Sequence, residues 1–321
     1  MHNHTWITTL PKSELHLHLE GSVEPKMIRK LRPDLSIGDI LEHYRYRDFP
    51  DFLQAFKWVV QHLDRPEDYA LVARDLFATL AAQNVKYVEV MLSVGVLFWK
   101  KQNAAETFEA LADASADAPM PVRWIFDAIR QFPVEDAARV LDLAIRFRGR
   151  GVVGFGIGGN EALGPATNFH PLFAEARRAG LQLTVHGGET TGPQSIWEAL
   201  EGGAQRIGHG IRAVDDPLLL RHLATNQIPL EISVSSNILT GAVASVADHP
   251  LRRIFDAGVP IVLNTDDPAM FHTSLEREYC VAHEEFGLSR PAIESIAGNG
   301  FRFAFDAAAA ADALRLATST S

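Results

Sequence analysis

Two stretches of the sequence have the same organisation: AGLQLTVHGGE, residues 179–189, and AGVPIVLNTDD, residues 257–267. In each, a glycine of the kind that ends helices precedes a short apolar run, and the run ends in side chains suited to metal binding or proton transfer. The chain contains eight such apolar runs, mostly separated by helical patterns, at residues 14–19, 85–93, 122–128, 152–159, 181–187, 206–210, 229–236 and 260–267. Eight alternations of strand and helix predict a parallel (β/α)8 TIM barrel.

A doubly wound α/β sheet is the alternative fold for alternating strands and helices. That fold would place a glycine-rich dinucleotide loop after the first strand, and the sequence has none there. A length of 321 residues is normal for one α/β barrel, so we predict a single barrel domain over residues 1–321.

The segment 21–84 interrupts the alternation between the first and second strands. Its aromatic residues recur at roughly helical spacing, which predicts a helical insertion. These residues are Phe49, Phe52, Phe56 and Trp58. Two interpretations stay open: the aromatic residues form a core between the inserted helices, or part of the insertion covers the mouth of the barrel as a lid.

Composition and charge narrow the class of partner. The formal net charge is −10, and a nucleic-acid backbone requires a basic face, so we expect a small-molecule substrate and no nucleic acid. The N-terminal stretch MHNHTWITTLPK has no basic segment followed by an apolar run. No stretch approaches the ~18 apolar residues of a membrane helix. We therefore expect no membrane partner and a cytoplasmic location, and the sequence leaves the oligomeric state open.

The single cysteine, Cys280, excludes a disulfide framework within the chain and any zinc site built from several cysteines. It also excludes the cytidine-type zinc deaminases, which need two cysteines in a Pro-Cys-x-x-Cys motif. A bound metal would therefore be held by histidine and carboxylate ligands.

Histidine and acidic residues occur at the ends of the predicted strands, where barrel enzymes carry their chemistry. His16 and His18 are two residues apart on the first strand, so both imidazoles lie on one face, which we expect to be the inner one. This His-x-His pair alone would be interpreted as a chance pair on the surface or as packing in the core. The fifth, sixth and eighth strands end in further candidates, namely His186 with Glu189, His209, and Asp266 with Asp267.

These residues predict a metal site made only of nitrogen and oxygen ligands. Zinc accepts imidazole nitrogen and carboxylate oxygen, and a catalytic zinc site leaves a position for water. The predicted ligands are His16, His18, His186 and Asp266. Binuclear hydrolases on this fold often bridge their metals with a lysine from the fourth strand. The run 152–159 contains no lysine, so we predict one metal ion per chain.

Six segments of the chain, in this order, resemble the adenosine deaminase family within the amidohydrolase superfamily. They are LPKSELHLHLEGS (10–22), VVGFGIGGNE (152–161), HGGE (186–189), RIGHGI (206–211), SSNILTG (235–241) and IVLNTDDPAMF (261–271). The joint occurrence of HLHLEG, HGGE, GHG and NTDDP is highly specific. The resemblance implies hydrolytic deamination of a 6-aminopurine nucleoside to its 6-oxo product and ammonia.

The resemblance also implies a role for each matching residue. The implied ligands of one Zn²⁺ are His16, His18, His186 and Asp266. Glu189 is the implied proton donor to purine N1, a role that requires a pKa raised by burial. His209 and Asp267 are implied to flank the attacking water, where His209 stabilises it and Asp267 contacts the substrate and passes a proton toward the leaving ammonia. Gly159 matches a glycine whose backbone amide meets a purine ring nitrogen, and its missing side chain permits that approach.

Three departures from the family pattern fall where the 5′ end of the ribose would point. Many members have Asp at the position of Glu20, where the carboxylate meets the ribose 5′-hydroxyl, so Glu20 is a predicted substrate-binding residue. Ser233 and Val234 stand where the family usually has Cys followed by Pro or Leu. The segment VEVMLSVGVLFWKKQN (88–103) lacks the usual Arg and the Pro that follows it.

These departures resemble the branch of the family that acts on aminodeoxyfutalosine, an adenosine with a carboxyphenyl-ketone tail and a precursor of menaquinone. In this interpretation the basic pair Lys100 and Lys101 meets the tail carboxylate; alternatively, both are solvated surface residues. Adenosine is the alternative substrate. Adenine and N6-modified AMP come after it, since nothing in the sequence resembles a dedicated phosphate clamp.

Other classes of function predict other patterns. A different amidohydrolase reaction would use a similar metal site, but Glu189 and the absent lysine disfavour it. A non-catalytic barrel would have lost at least one ligand or acid, and all are intact. Ser235, Ser236 and Asn237 are interpreted as hydrogen-bonding residues that stabilise a loop, and Glu231 as a structural partner on the seventh strand.

Overall fold

Eight parallel strands form the centre of the protein, whose structure is a computed structural model that describes residues 5–319. They are β1 (Lys12–Glu14), β2 (Val85–Leu92), β3 (Val122–Ile129), β4 (Val152–Gly158), β5 (Gln182–Gly187), β6 (Arg206–His209), β7 (Leu230–Ile232) and β8 (Ile261–Leu263). Each strand pairs in parallel with the next along the chain, from β1 to β8. Beyond β1 and β8, a bridge between Leu17 and Asp266 joins the two edges. The barrel is nearly closed, and the predicted (β/α)8 fold is confirmed.

Helices surround the strands and join them. In residues 5–319 the α-helices are α1 (Thr5–Thr9), α2 (Pro25–Leu31), α3 (Ile37–Glu42), α4 (Phe49–Val60), α5 (Pro66–Ala82), α6 (Val94–Trp99), α7 (Ala104–Ala116), α8 (Val134–Phe147), α9 (His170–Arg178), α10 (Gln194–Glu201), α11 (Pro217–Asn226), α12 (Val234–Leu239), α13 (Leu251–Asp256), α14 (Leu275–Glu284), α15 (Arg290–Arg302) and α16 (Ala307–Ser319). Helices α2 to α5 occupy the predicted insertion 21–84. None of the helices in the described part of the chain is both long and apolar enough to cross a membrane.

The apolar core lies between the strands and the helices that cover them. Helix α8 shows why, because its apolar residues recur every three or four positions and lie on one face. Ala137, Val140, Leu141 and Ala144 of this helix are all buried, and α8 contacts β3 and β4. The interior of the barrel is left to other side chains, many of which are polar.

Strand β1 is shorter than the predicted run 14–19. Its regular pairing with β2 ends at Glu14. Beyond that point the side-chain oxygen of Asn264 accepts hydrogen bonds from the N–H groups of Leu15 and His16, at 2.8 and 3.1 Å. A side chain from the far end of the sequence thus replaces the strand ladder. His16 and His18 consequently lie on an irregular segment at the barrel mouth, held by isolated bridges.

The predicted run 229–236 also ends early. Strand β7 ends at Ile232. The buried carboxylate of Glu278 then accepts hydrogen bonds from the N–H groups of Val234 and Ser235, at 3.0 and 3.3 Å. An anionic acceptor at the first N–H groups stabilises the start of a helix. The residues Ser235, Ser236 and Asn237 therefore lie on α12, not on a strand or in a loop.

Candidate active site and metal centre

A cluster of histidine and aspartate side chains lies at the barrel mouth. Four buried side chains bring their ligand atoms within 4.8 Å of one another: His16, His186, His209 and Asp266. His18 adjoins them, because its Nε2 lies 3.3 Å from Nε2 of His186 and 3.5 Å from Oδ1 of Asp266. The structure therefore brings together all four predicted ligands and the predicted catalytic residue His209. Distance alone does not separate the four ligands from the fifth side chain.

The outer ring nitrogens show which imidazoles are ready to bind a cation. Nδ1 of His16 lies 2.8 Å from the carboxylate of Glu231, and Nδ1 of His186 lies 3.0 Å from the carbonyl oxygen of Ile157. Both partners only accept hydrogen bonds, so each Nδ1 carries the hydrogen and each Nε2 faces the cluster. Nε2 of His16 is buried and has no hydrogen-bond partner in residues 5–319. A metal ion would fill that position.

The charges of the cluster also suit a cation. Burial and the neighbouring histidines lower the pKa of His186 well below its usual range, and burial lowers that of His18 to about 4. Burial opposes ionisation of Asp266, but His16, whose Nε2 lies 3.5 Å from its Oδ1, and the other surrounding histidines hold its pKa well below normal. Burial also opposes a charge on His16, yet Asp266 and Glu231 raise its pKa to about 10. A proton there occupies the place of a cation, and metal binding would release it.

The predicted proton donor Glu189 lies beside this cluster. Its Oε2 is 3.7 Å from Nε2 of His209. Burial, followed by the nearby carboxylates of Asp266 and Glu161, raises the pKa of Glu189 well above its usual range. A pKa raised in this direction favours the protonated form of the side chain, which a proton donor requires.

The loop that carries Glu189 is held by a second acid. Glu161 accepts a hydrogen bond from the N–H of Glu189 at 3.0 Å and another from the N–H of Thr191 at 3.1 Å. Glu161 lies in the segment 152–161, but its role could not be predicted from the sequence, because its partners are 28 and 30 residues away.

Asp267 follows Asp266 and is also buried. Burial and the charge of Asp266 raise the pKa of Asp267 well above normal, and its Oδ1 has no hydrogen-bond partner in the described part of the chain. Both Asp267 and Glu189 line the same cavity. Two acids with raised pKa values thus face one space beside the candidate metal site.

That cavity has a volume of about 300 Å³ and extends outward from the histidine cluster. Gly159, predicted to meet the base, lies in its wall. The φ angle of Gly159 is +92°, and a Cβ there would lie 2.3 Å from Oε1 of Gln131. Only glycine adopts this conformation without strain and leaves the cavity open.

The aromatic residues of the insertion divide between two environments. Phe49, Phe52 and Phe56 of α4 line the cavity. Trp58 of the same helix instead stacks on His43, with ring centroids 3.9 Å apart. Helix α4 therefore forms one wall of the mouth while its other side packs within the insertion. Movement of this helix as a lid stays a prediction.

Two residues that were predicted to contact the substrate, Glu20 and Lys100, do not line the cavity. Glu20 is buried and accepts a hydrogen bond from the N–H of Ser93 at 3.0 Å, and only Ser93 of the two lines the cavity. Lys100 donates to the carbonyl oxygens of Val60 and Leu63, both at 2.5 Å. It is therefore neither a solvated surface residue nor a cavity residue. The lysine that lines the cavity is Lys57 of α4.

One acid of the cavity was not singled out from the sequence. Asp127, near the end of β3, lines the cavity, and burial raises its pKa to about 8. Its Oδ1 has no hydrogen-bond partner within residues 5–319. The signal was present, since Asp127 is the one acidic residue of the run 122–128, and it follows the rule that barrel chemistry lies at strand ends.

A parallel barrel with buried histidines, an aspartate and a glutamate of raised pKa at its mouth has the construction of a metal-dependent hydrolase. Comparison with known proteins makes this class more specific. The model of the adenosine deaminase family matches residues 11–317. An aminodeoxyfutalosine deaminase from Streptomyces coelicolor is 36% identical over 316 residues, which cover 94% of this chain and 82% of that protein.

Relatives with another substrate are almost as similar. An adenine deaminase from Agrobacterium fabrum is 33% identical over 305 residues, which cover 92% of this chain and 94% of that protein. The crystal structure of an adenine deaminase from Arthrobacter aurescens matches with a TM-score of 0.90 at 28% identity, covering 97% of this chain and 98% of the other. The chain belongs to the adenosine deaminase family, and it is a metal-dependent purine deaminase.

Proposed function

We propose that the protein is a zinc-dependent hydrolase that deaminates a 6-aminopurine nucleoside, and that its substrate is aminodeoxyfutalosine. The observation that carries the proposal is the composition of the cavity. Its floor holds the histidine cluster and the acids, and its outer wall is aromatic. Such a cavity suits a substrate with a polar reacting end and an apolar extension.

The floor of the cavity supports the deamination step. Zinc in this nitrogen-and-oxygen ligand set would lower the pKa of a water and so prepare it for attack at C6. Glu189 donates its proton to N1, which prevents negative charge from building up on the ring. A metal cation in the adjoining site would favour the ionised form of Asp267, which then takes one proton from the water and passes it to the 6-amino group.

Loss of ammonia completes the reaction and restores the two acids. The C6–O bond forms when the water attacks, and the C6–N bond breaks when ammonia leaves. The second proton of the water returns to Glu189 as the 6-oxo group forms, so both acids regain their starting states. Gly159 positions the base through its backbone amide, in a cavity wall where an added Cβ would collide with the side chain of Gln131.

The outer wall supports a substrate longer than adenosine. Phe49, Phe52 and Phe56 contribute aromatic surface, and so does Trp99 of α6. Nζ of Lys57 lies 5.2 Å from the ring centroid of Trp99. An aromatic tail that ends in a carboxylate would find apolar contact along this wall and a positive charge at its rim.

Adenosine and adenine are the competing substrates. The similarity to proteins named adenine deaminases favours the base. However, free adenine would occupy the floor and leave the aromatic wall without a partner. Adenosine would fill more of the cavity and still leave Lys57 unused. These differences predict an order of kcat/KM, with aminodeoxyfutalosine first, adenosine second and adenine last.

The experiment is a parallel assay of the zinc-loaded protein. Ultraviolet absorbance would follow conversion of aminodeoxyfutalosine, adenosine, adenine and N6-methyl-AMP, with Glu189→Gln as the control for contaminating deaminases. We expect aminodeoxyfutalosine to be converted with the highest kcat/KM. A higher value for adenosine or for adenine would overturn the substrate assignment and leave the purine deaminase in place.

A further inference from the structure

Behind His209 lies a chain of hydrogen bonds that begins at a backbone amide. The N–H of Leu251 donates to Nδ1 of His249, at 3.1 Å. Leu251 is the first residue of α13, so its N–H has no partner within the helix and is free to donate to a side chain. A backbone N–H can only donate, so Nδ1 of His249 must accept. Burial, followed by the nearby His209, lowers the pKa of His249 to about 3, which keeps the ring neutral.

The rest of the chain follows from this first bond. A neutral His249 that accepts at Nδ1 carries its hydrogen on Nε2. Nε2 lies 3.1 Å from Oδ1 of Asn237 and donates to it. The amide nitrogen of Asn237 then faces Nδ1 of His209, at 3.0 Å, and donates in turn. His209 therefore accepts at Nδ1 and carries its hydrogen on Nε2.

This polarity is the opposite of that at His16 and His186. Their outer nitrogens donate to a carboxylate and to a carbonyl oxygen, which leaves each Nε2 lone pair for a cation. At His209 the inner nitrogen carries a hydrogen and has no lone pair for a metal. This Nε2–H lies 3.7 Å from Glu189 and 3.9 Å from Asp266, facing the space between them.

We infer that Asn237 and His249 are positioning residues that hold His209 as a hydrogen-bond donor at Nε2. His209 then donates to the attacking oxygen and does not join the metal ligands, although it lies within ligand distance of them. The catalytic consequence rests on the proposed function. The tautomer itself does not depend on it, since the hydrogen bonds that fix it are independent of the substrate.

All three side chains are nine-tenths buried or more: His209 is 1% exposed, Asn237 0% and His249 4%. Water therefore does not compete for these hydrogen bonds. The tautomer of His209, on β6, is therefore set by two helices. Helix α12 contributes Asn237, and the start of α13 contributes the N–H of Leu251. The interpretation of Asn237 as a residue that only stabilises a loop is thus incomplete.

The direct test is nitrogen NMR of zinc-loaded protein labelled with ¹⁵N in its 13 histidines. Loss of one signal set in His209→Gln would assign His209. We expect a protonated Nε2 and an unprotonated, hydrogen-bonded Nδ1. A hydrogen on Nδ1, or an Nε2 shift typical of zinc coordination, would overturn the inference. This readout needs no substrate, so failure of the proposed function would show separately, as a correct tautomer without purine turnover.

A pair of variants tests the consequence for catalysis. Asn237→Asp replaces the donor with a carboxylate that accepts, so we expect the hydrogen of His209 to move to Nδ1. Loss of one preorganised donor predicts a fall in kcat on the order of 100-fold, with a much smaller change in KM. Asn226→Asp makes the same substitution at an exposed site on α11 and is the matched control.

Two variants of His249 test whether a donor at this position is enough to keep the tautomer of His209. His249→Gln keeps an N–H near the position of Nε2, whereas His249→Phe keeps the ring size and removes the donor. We expect the Gln variant to retain the wild-type NMR signature and more than half of the activity, and the Phe variant to show mixed tautomers. Equal losses in both variants, with the His209 signals unchanged, would contradict the positioning role.

Discussion

The inside of the barrel contains two layers of polar side chains that differ in how they are paired. In the lower layer, Arg206 lies between two glutamates, with Nη1 2.7 Å from Glu89 and Nε 2.5 Å from Glu231. Its guanidinium also lies 3.5 Å from the ring centroid of Phe305. The upper layer, at the mouth, contains the histidine cluster with Asp266, Glu189, Asp127 and Asp267. Within residues 5–319, Asp127 and Asp267 form no ion pair with a cationic side chain, and Oδ1 of each is buried without a hydrogen-bond partner.

The difference separates stability from function. A buried charge costs several kcal/mol unless it is paired, and the lower layer pairs its charges within the protein. The upper layer leaves its acids for a ligand, and their raised pKa values are the consequence. One residue connects the layers, since Glu231 binds Arg206 with one oxygen and His16 with the other, at 2.8 Å. The lower layer thus orients His16, a predicted metal ligand in the upper layer.

The largest effect is expected in the upper layer, from Glu189→Gln. The amide keeps the shape of the side chain but has no acidic proton for N1, so we predict a fall in kcat of about 1,000-fold or more. The melting temperature and the zinc content should stay at wild-type values, because Glu189 holds no structural ion pair. Retention of a tenth of the activity would contradict the assigned role. Ultraviolet assay, thermal unfolding and metal analysis measure the three quantities.

The matching change in the lower layer is Arg206→Met, which leaves Glu89 and Glu231 buried without their cation. We predict a loss of about 3–5 kcal/mol in the free energy of unfolding, measured by urea titration. The control is Arg315→Met on α16, where the ion pair with Asp312 is exposed and the expected loss is below about 1 kcal/mol. Similar losses of unfolding free energy in the two variants would show that the buried ion pairs of Arg206 stabilise the protein no more than an exposed ion pair does.

A third change narrows the cavity without touching an ionisable group. Gly159→Ala places a methyl group on Gln131 and strains a backbone at φ +92°. We predict a loss of roughly 1–2 kcal/mol in the free energy of unfolding from the left-handed strain. Displacement of Gln131, which lines the cavity, should lower kcat/KM by about tenfold or more. Gly192→Ala is the control, because no atom lies within 4 Å of its added Cβ. Unchanged kcat/KM in Gly159→Ala would show that the base does not approach this wall.

The smallest effect is expected at the rim. Lys57→Met removes the positive charge beside Trp99, so KM for aminodeoxyfutalosine should rise about fivefold, as for the loss of roughly 1 kcal/mol. KM for adenosine should not change. Lys101→Met removes an exposed charge outside the cavity and should affect neither substrate. An equal rise for both nucleosides after Lys57→Met would mean that the lysine does not meet the tail.

Much of the upper layer could be predicted from the sequence, because strand ends in a barrel converge on one mouth. His16, His186, His209, Glu189 and the two aspartates all followed from that rule. The lower layer could not be predicted in the same way. Arg206 and Glu89 are 117 positions apart, and neither stands in a motif that reveals the other. Pairing of this kind is decided by packing.

The errors in the strand ends have the same physical origin. Asn264 and Glu278 replace the ladder after β1 and β7 with side-chain acceptors from distant parts of the chain. The local pattern of apolar residues does not predict these side-chain acceptors. The lysine at the rim was misplaced for a related reason. Lys100 and Lys57 are both near aromatic residues in the sequence, and only the packing of α4 against α6 shows which of them is engaged by carbonyl oxygens.

We propose that one zinc ion completes the unpaired upper layer as a deaminase site. The experiment is a titration of zinc into chelator-treated protein, with bound zinc and purine deamination measured on the same samples. We expect activity to rise in proportion to bound zinc and to reach its maximum at one ion per chain. Full deamination without a bound metal, or a maximum that requires a second ion, would contradict it.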